Sequence, residues 1–312
     1  MSVKQPLSRR TFVRGALASA AILELQQTAQ ALGFGAAAPV CKLVAEQEVG
    51  PFYLAQELLR SDIREGKPGV PLALHVAVLD ARTCQPLPHA AVDVWHCDAM
   101  GAYSGFTAQS NGFGGPGGPG GPPHDFHGAP GDFGPEHAGM PPAHPFGPPP
   151  GSPPPSPHPT DAFTFLRGIQ ITDGGGAVMF QTIFPGFYQG RTNHIHFKVR
   201  LAGHVDARRG SHLPGKTYEA GHTSHTGQIF FPEQMTAALM QQGPYAKHRI
   251  HRVTPAEDGI FRDQNGSLYV AEVSSTEGGD RSHGLTAKLI VAVDPTAVPQ
   301  PVQRGPDHDD HP

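Results

Sequence analysis

Glycine and proline interrupt this chain so often that it has little room for helix. Of its 312 residues, 39 are Gly and 34 are Pro, and turns recur before most apolar runs reach helical length. The runs between turns are short and alternate. Pro71–Asp80 has apolar residues at every second position, and Ala90–His96 puts Val92, Val94 and His96 on one face. Phe163–Asp173 and Ala177–Ile183 flank Gly174-Gly175-Gly176 and carry a hairpin signal. Gly227–Phe231, Gly266–Val273 and Gly284–Val293 read as further strands, and 208–226 reads as a polar loop. One helix stands out, Pro232–Gln242, with Pro at its start and Met235, Leu239 and Met240 on one face. The expected fold is all-β, an antiparallel β-sandwich with one short helix and long loops.

The segments divide by composition. Ser8-Arg9-Arg10-Thr11-Phe12-Val13-Arg14 is a twin-arginine pattern, followed by an Ala-rich stretch and small-residue cleavage candidates at Ala29-Gln30-Ala31 and Ala36-Ala37-Ala38. Residues 1–38 therefore read as an export signal, which predicts a periplasmic or secreted protein that meets the twin-arginine machinery. The Ala-rich run is short and contains Glu24, so a stable membrane span is not expected. Residues 39–106 and 161–296 read as one β-sandwich catalytic domain. Residues 107–160 form a Gly/Pro/His-rich insert that cannot bury a core, and 297–312 form a Pro-rich charged tail. A net charge of -4 gives no footprint for nucleic acid.

Cys41, Cys84 and Cys97 allow one disulfide and one thiol in an oxidising compartment. If Val70–Leu79 and Ala90–His96 pair as a hairpin, Cys84 sits at its turn and Cys97 at its far end, too distant to bridge.

The chemistry concentrates in Pro185-Gly186-Phe187-Tyr188-Gln189-Gly190-Arg191-Thr192-Asn193-His194-Ile195-His196-Phe197. On a strand His194 and His196 share a face, which brings two imidazoles together. Imidazole suits iron, copper, nickel and zinc; a Tyr188 phenolate would favour Fe(III) over zinc. A lone His-x-His is commonly a structural pair, but here Tyr188 and Arg191 precede it in a Pro-Gly turn, where functional residues collect. There is no CxxC or HExxH pattern, and Ser104 lies outside any GxSxG elbow, so a serine hydrolase has no support. His96, beside Trp95, reads as a packing residue.

Three segments, Trp95–Gly105, Phe165–Asp173 and Pro185–Phe197, together resemble the intradiol ring-cleavage dioxygenases of the protocatechuate and catechol type, in their exported subgroup. The shared pattern is Trp-x5-Gly-x-Tyr, then Pro-Gly-x-Tyr, then Arg-x-x-His-x-His, preceded by the arm Glu48-Val49-Gly50-Pro51-Phe52-Tyr53. The resemblance implies a non-haem Fe(III) enzyme that inserts both atoms of O2 into a catechol-type ring and yields a cis,cis-muconate-type product. It implies Tyr103, Tyr188, His194 and His196 as ferric ligands, and Arg191, Tyr188 and Gln228 in catalysis. It places Pro51 and Tyr53 near the substrate. The insert after Tyr103 is longer than the family pattern requires. The particular catechol and the oligomeric state, a homo-oligomer included, stay open. So do two other readings of the same residues: a β-sandwich carrier that has lost the chemistry, and a copper or zinc site.

Overall fold

The computed structural model describes residues 41–55, 58–108, 158–207, 216–276, 284–300 and 302. The signal segment, nearly all of the insert and most of the tail lie outside them. The described residues build a β-sandwich of two four-stranded sheets. Its strands are β1 Pro71–Asp80, β2 Ala91–Trp95, β3 Arg167–Ile171, β4 Ala177–Ile183, β5 His194–Ala207, β6 Lys216–Phe230, β7 Glu272–Ser275 and β8 Leu285–Val293. One sheet has the order β4-β1-β8-β7, the other β3-β2-β5-β6. All pairings are antiparallel except β1 with β8, which is parallel.

Alternation decides which side chains meet. Leu72, Leu74, Val76 and Val78 of β1, Val92 and Val94 of β2, Phe197 and Val199 of β5, and Leu285, Ala287, Leu289 and Val291 of β8 fill one buried core between the sheets. Each Val, Leu or Phe among them contributes roughly 1.5–3 kcal/mol on burial. The intervening residues of β2 and β5 point to the far face of the second sheet. An arm comprising residues 41–55 and 58–69 wraps the sandwich, with Leu43 bridging Ala292 and Asp62 bridging Gln181 on the first sheet, and its middle against the second. Gln47 N donates to Thr226 O, and Leu59 bridges Ile169.

Four sequence expectations change. The β1 and β2 runs are not a hairpin, because they belong to opposite sheets. Cys84 nevertheless pairs with Cys41, at a Cα separation of 5.6 Å, and Cys97 is a buried free thiol. The second hairpin also fails. Asp173 caps the Gly174–Gly176 turn through Gly175 N and Ala177 N, but β3 then pairs with β2 and β4 with β1. A turn signal specifies a reversal of direction, not that the flanking strands pair.

Of the expected polar loop, 208–215 lies outside the described residues, and 216–226 is instead the first part of β6, paired with β5. Gly266–Tyr269 is a 3-10 turn, and the strand after it is β7, starting at Glu272. The expected helix is α1, Glu233–Met240, with Thr236, Leu239 and Met240 buried. A second, one-turn helix, α2, spans Gly259–Asp263.

Candidate active site

The site forms where β2, β5 and β6 meet three loops on the far face of the second sheet. His196 of β5 lies opposite Trp95 of β2 and Gln228 of β6. The Trp95 indole stacks on the His196 ring, with centroids 4.9 Å apart and an interplanar angle of 6°. His194, two residues back, is on the same face, and the two Nε2 atoms stand 3.1 Å apart.

A closed turn delivers Tyr103. Asp98 Oδ1 accepts from Met100 N and Ala102 N, and Lys67 Nζ holds Oδ2 at 2.8 Å. Arg167 clamps the next residue, donating to Ser104 O and to Phe52 O of the arm. The Tyr103 hydroxyl lies 3.5 Å from His194 Nε2. Tyr188 comes from the loop before β5. Asn193 Nδ2 ties that loop by donating to Pro185 O and Gly186 O. The Tyr188 ring centroid is 5.7 Å from His194 and 5.8 Å from Tyr103. Phe52, Trp95, Cys97 and Phe106 enclose the two phenols in a second apolar cluster, outside the sandwich core.

Arg191 is buried beside them. Its Nη1 donates to the Tyr188 hydroxyl at 3.2 Å, its Nη2 to Gln228 Oε1, and its Nε to Asp258 Oδ2 at 2.9 Å. Gln228 Nε2 in turn donates to Glu48 O of the arm. Pro51 sits in the turn just after Gly50, whose backbone rests against His196. A Cβ on Gly50 would come 2.9 Å from His196 Cε1, and its φ of +72° already favours glycine. Tyr53 stands one row away: its hydroxyl donates to Asp93 Oδ2, its ring packs on Trp95, and Lys198 Nζ lies 3.5 Å above it. His96 takes no part. Its Nδ1 faces Cys97 O and its Nε2 faces the Thr182 hydroxyl.

The donor chemistry fits a metal. Among the described residues no group of three or more His, Cys, Asp or Glu is placed to hold one, so the two imidazoles complete a shell only with the phenols. Two donors on one ion at about 2.0–2.1 Å stand roughly 3.0–3.4 Å apart, close to the separations seen here. Burial pushes His194 down to about 3 and His196 well below its usual range, which leaves neutral rings. His194 Nδ1 donates to Thr192 O, which frees its Nε2 lone pair. Burial also raises Tyr103 and Tyr188, Arg191 opposing the rise at both. Phenolates would form here only beside a compensating cation. The His196 Nδ1 atom is buried without a protein partner.

Sequence reasoning missed Asp258. It is the N-cap of α2, a role its place before Gly259-Ile260-Phe261 signals, but nothing in the sequence links it to Arg191.

No protein-family model and no curated protein matches the chain. Solved structures do. An intradiol ring-cleavage dioxygenase from Tetranychus urticae is 26% identical, with a TM-score of 0.59, covering 84% of this chain and 98% of that one. A second dioxygenase crystal structure is also 26% identical, with a TM-score of 0.58 over 82% of this chain and 96% of the other. In fold, this all-β sandwich is similar to proteins described as dioxygenases. Within that likeness, the named neighbour from Tetranychus urticae is an intradiol ring-cleavage dioxygenase, the same family whose motifs the sequence resembles.

Proposed function

We propose that the protein is a non-haem Fe(III) enzyme that inserts both atoms of O2 into a catechol-type ring, giving a cis,cis-muconate-type product. One observation carries this reading: four donors from three separate segments, Tyr103, Tyr188, His194 and His196, converge in one buried cluster. These side chains would hold the iron. Ferric iron, when bound, supplies the electron-accepting centre that makes a catecholate reactive toward O2.

The chain's own groups do the rest. The Tyr188 phenolate oxygen can accept a proton leaving a substrate hydroxyl. Arg191 Nη1, already 3.2 Å from that oxygen, neutralises negative charge as it builds on the substrate, an effect of about 2–4 kcal/mol. Gln228 fixes the guanidinium through Oε1. Gly50-Pro51-Phe52 covers the cluster and excludes water, while Trp95 and Tyr53 form the wall beneath it.

Export by the twin-arginine route to the periplasm or beyond completes the proposal. The Cys41–Cys84 disulfide supports it, because such bonds persist in oxidising compartments. Changing Arg9→Lys and Arg10→Lys together should leave the protein in the cytoplasmic fraction.

The test of the activity is a visible spectrum of the iron-loaded protein, then catechol, protocatechuate and hydroxyquinol under O2. A tyrosinate-to-iron band and O2 uptake with ring opening are expected. A protein that stays colourless after reconstitution and consumes no O2 overturns the reading; a colourless protein holding zinc would assign the site to that metal.

A further inference from the structure

We propose that Asp258 is the positioning residue for Arg191, a role that rests on the ring-opening reading of the site. The two side chains come from segments 67 residues apart and meet where solvent is excluded, with relative side-chain exposures of 7% for Arg191 and 0% for Asp258. The carboxylate is split between two tasks. Oδ2 accepts from Arg191 Nε at 2.9 Å and from Thr192 N at 2.8 Å. Oδ1 accepts from Ile260 N and Phe261 N and so starts α2. One oxygen thus grips the side chain of Arg191 and the backbone of the next residue together, which fixes the direction in which the guanidinium leaves the loop.

Each nitrogen of Arg191 has a different partner: Asp258 at Nε, the Tyr188 hydroxyl at Nη1 and Gln228 at Nη2. Asp258 is the one carboxylate among these three partners. A buried guanidinium without its counter-charge is strongly unfavourable. It would turn away from Tyr188 toward any acceptor or solvent it could reach. The grip also extends one residue further. Thr192 donates its N–H to Asp258 and accepts at its carbonyl from His194 Nδ1. The same carboxylate therefore steadies the peptide that orients His194.

Asp258→Asn tests this directly. Asn is a good helix N-cap, so α2 keeps its start, but the amide NH2 then faces two donors, Arg191 Nε and Thr192 N. Asp258→Ser keeps the cap with a hydroxyl too short to reach Arg191, and Asp258→Glu restores the charge. With iron-loaded protein, Asp258→Asn and Asp258→Ser should lower kcat by about 10–100-fold, with KM changed by less than about threefold. Asp258→Glu should recover part of the loss. The double variant Arg191→Ala/Asp258→Asn should be slower than Arg191→Ala by much less than the full Asp258→Asn loss, because Asp258 acts mainly through the arginine and only its hold on Thr192 is independent of it. In the iron-free protein, one slowly exchanging arginine Hε resonance should disappear or shift in Asp258→Asn and in Asp258→Ser.

Full kcat in Asp258→Asn, or losses that add in the double variant, overturn the assignment. Should wild-type protein open no ring at all, the function proposed above fails. The Hε resonance still decides the positioning role, and its persistence in both variants would end that as well.

Discussion

Gly50 shows how tightly single atoms are placed around the cluster. Its positive φ and the 2.9 Å approach of a notional Cβ to His196 combine two separate penalties. Gly50→Ala should cost about 1–3 kcal/mol and weaken metal retention, read as a lower melting temperature and a lower iron content after dialysis. Tyr188→Phe removes the oxygen to which Arg191 donates. It should shift the visible band and slow turnover, and an unchanged spectrum would take Tyr188 out of the metal shell.

Asp93 has a different signature. Burial pushes its carboxyl up to about 6, against the opposing pull of the Tyr53 hydroxyl and Lys198. The folded protein thus holds this proton more tightly than the unfolded chain, whose value is near 3.8. The associated stability is fully present below about pH 4 and is lost as pH rises through about 6. Asp93→Asn should remove that loss, on the order of 2–3 kcal/mol. The measurement is the difference in melting temperature between variant and wild type, which should grow in the variant's favour between pH 4 and 7.

Among the elements, the two ends of the insert are joined before it begins. Asp161 accepts from Gly105 N, Thr107 N, the Thr107 hydroxyl and Phe163 N, and Thr160 N donates to Gly105 O. Burial would raise the Asp161 carboxyl, but these hydrogen bonds hold it below its usual value. Replacing residues 109–157 with a short Gly-Ser linker should therefore leave the melting temperature and the visible spectrum unchanged. Asp161→Ala should cost about 1–3 kcal/mol and perturb Tyr103, two residues from Gly105. The arm is tied similarly. Glu46 accepts from Thr226 N, Gln47 Oε1 accepts from Gln228 N, and Gln264, just after α2, accepts from Glu48 N. So α2 braces the site from both ends, Arg191 at its start and the arm just past its finish.

Across the whole molecule, the sequence made some features plain and hid others for physical reasons. Period-two alternation marked the core of β1, β2 and β8, and the spacing of His194 and His196 placed two imidazoles on one face. Pairing partners were not legible. Gly174-Gly175-Gly176 looks the same whether its flanking strands pair or cross between sheets. Residues 216–226 carry Thr, Ser, His and Glu because much of that ribbon extends beyond the core, so the apolar pattern that marks a strand is missing there. Asp258 was invisible because its link to Arg191 exists only once α2 docks.

Two predictions belong at this scale. Reducing the Cys41–Cys84 bond, which closes a span of 43 residues, should cost about 2–4 kcal/mol without unfolding the sandwich, as judged by calorimetry with and without reductant. Chelating the proposed iron should lower the melting temperature of the iron-loaded protein as well, because a ligand bound to the native state alone adds stability with its concentration.

The parallel pairing of β1 with β8 has a consequence for synthesis. The strand nearest the start of the sandwich takes β4 on one side and the final strand on the other. While the chain is still leaving the ribosome, one flank of β1 has no neighbour, and Leu72, Leu74, Val76 and Val78 lack the cover that Leu285, Ala287, Leu289 and Val291 supply. The barrier to completing this molecule is then the wait for Val293 to emerge, and nascent chains stalled short of it should be the protease-sensitive ones.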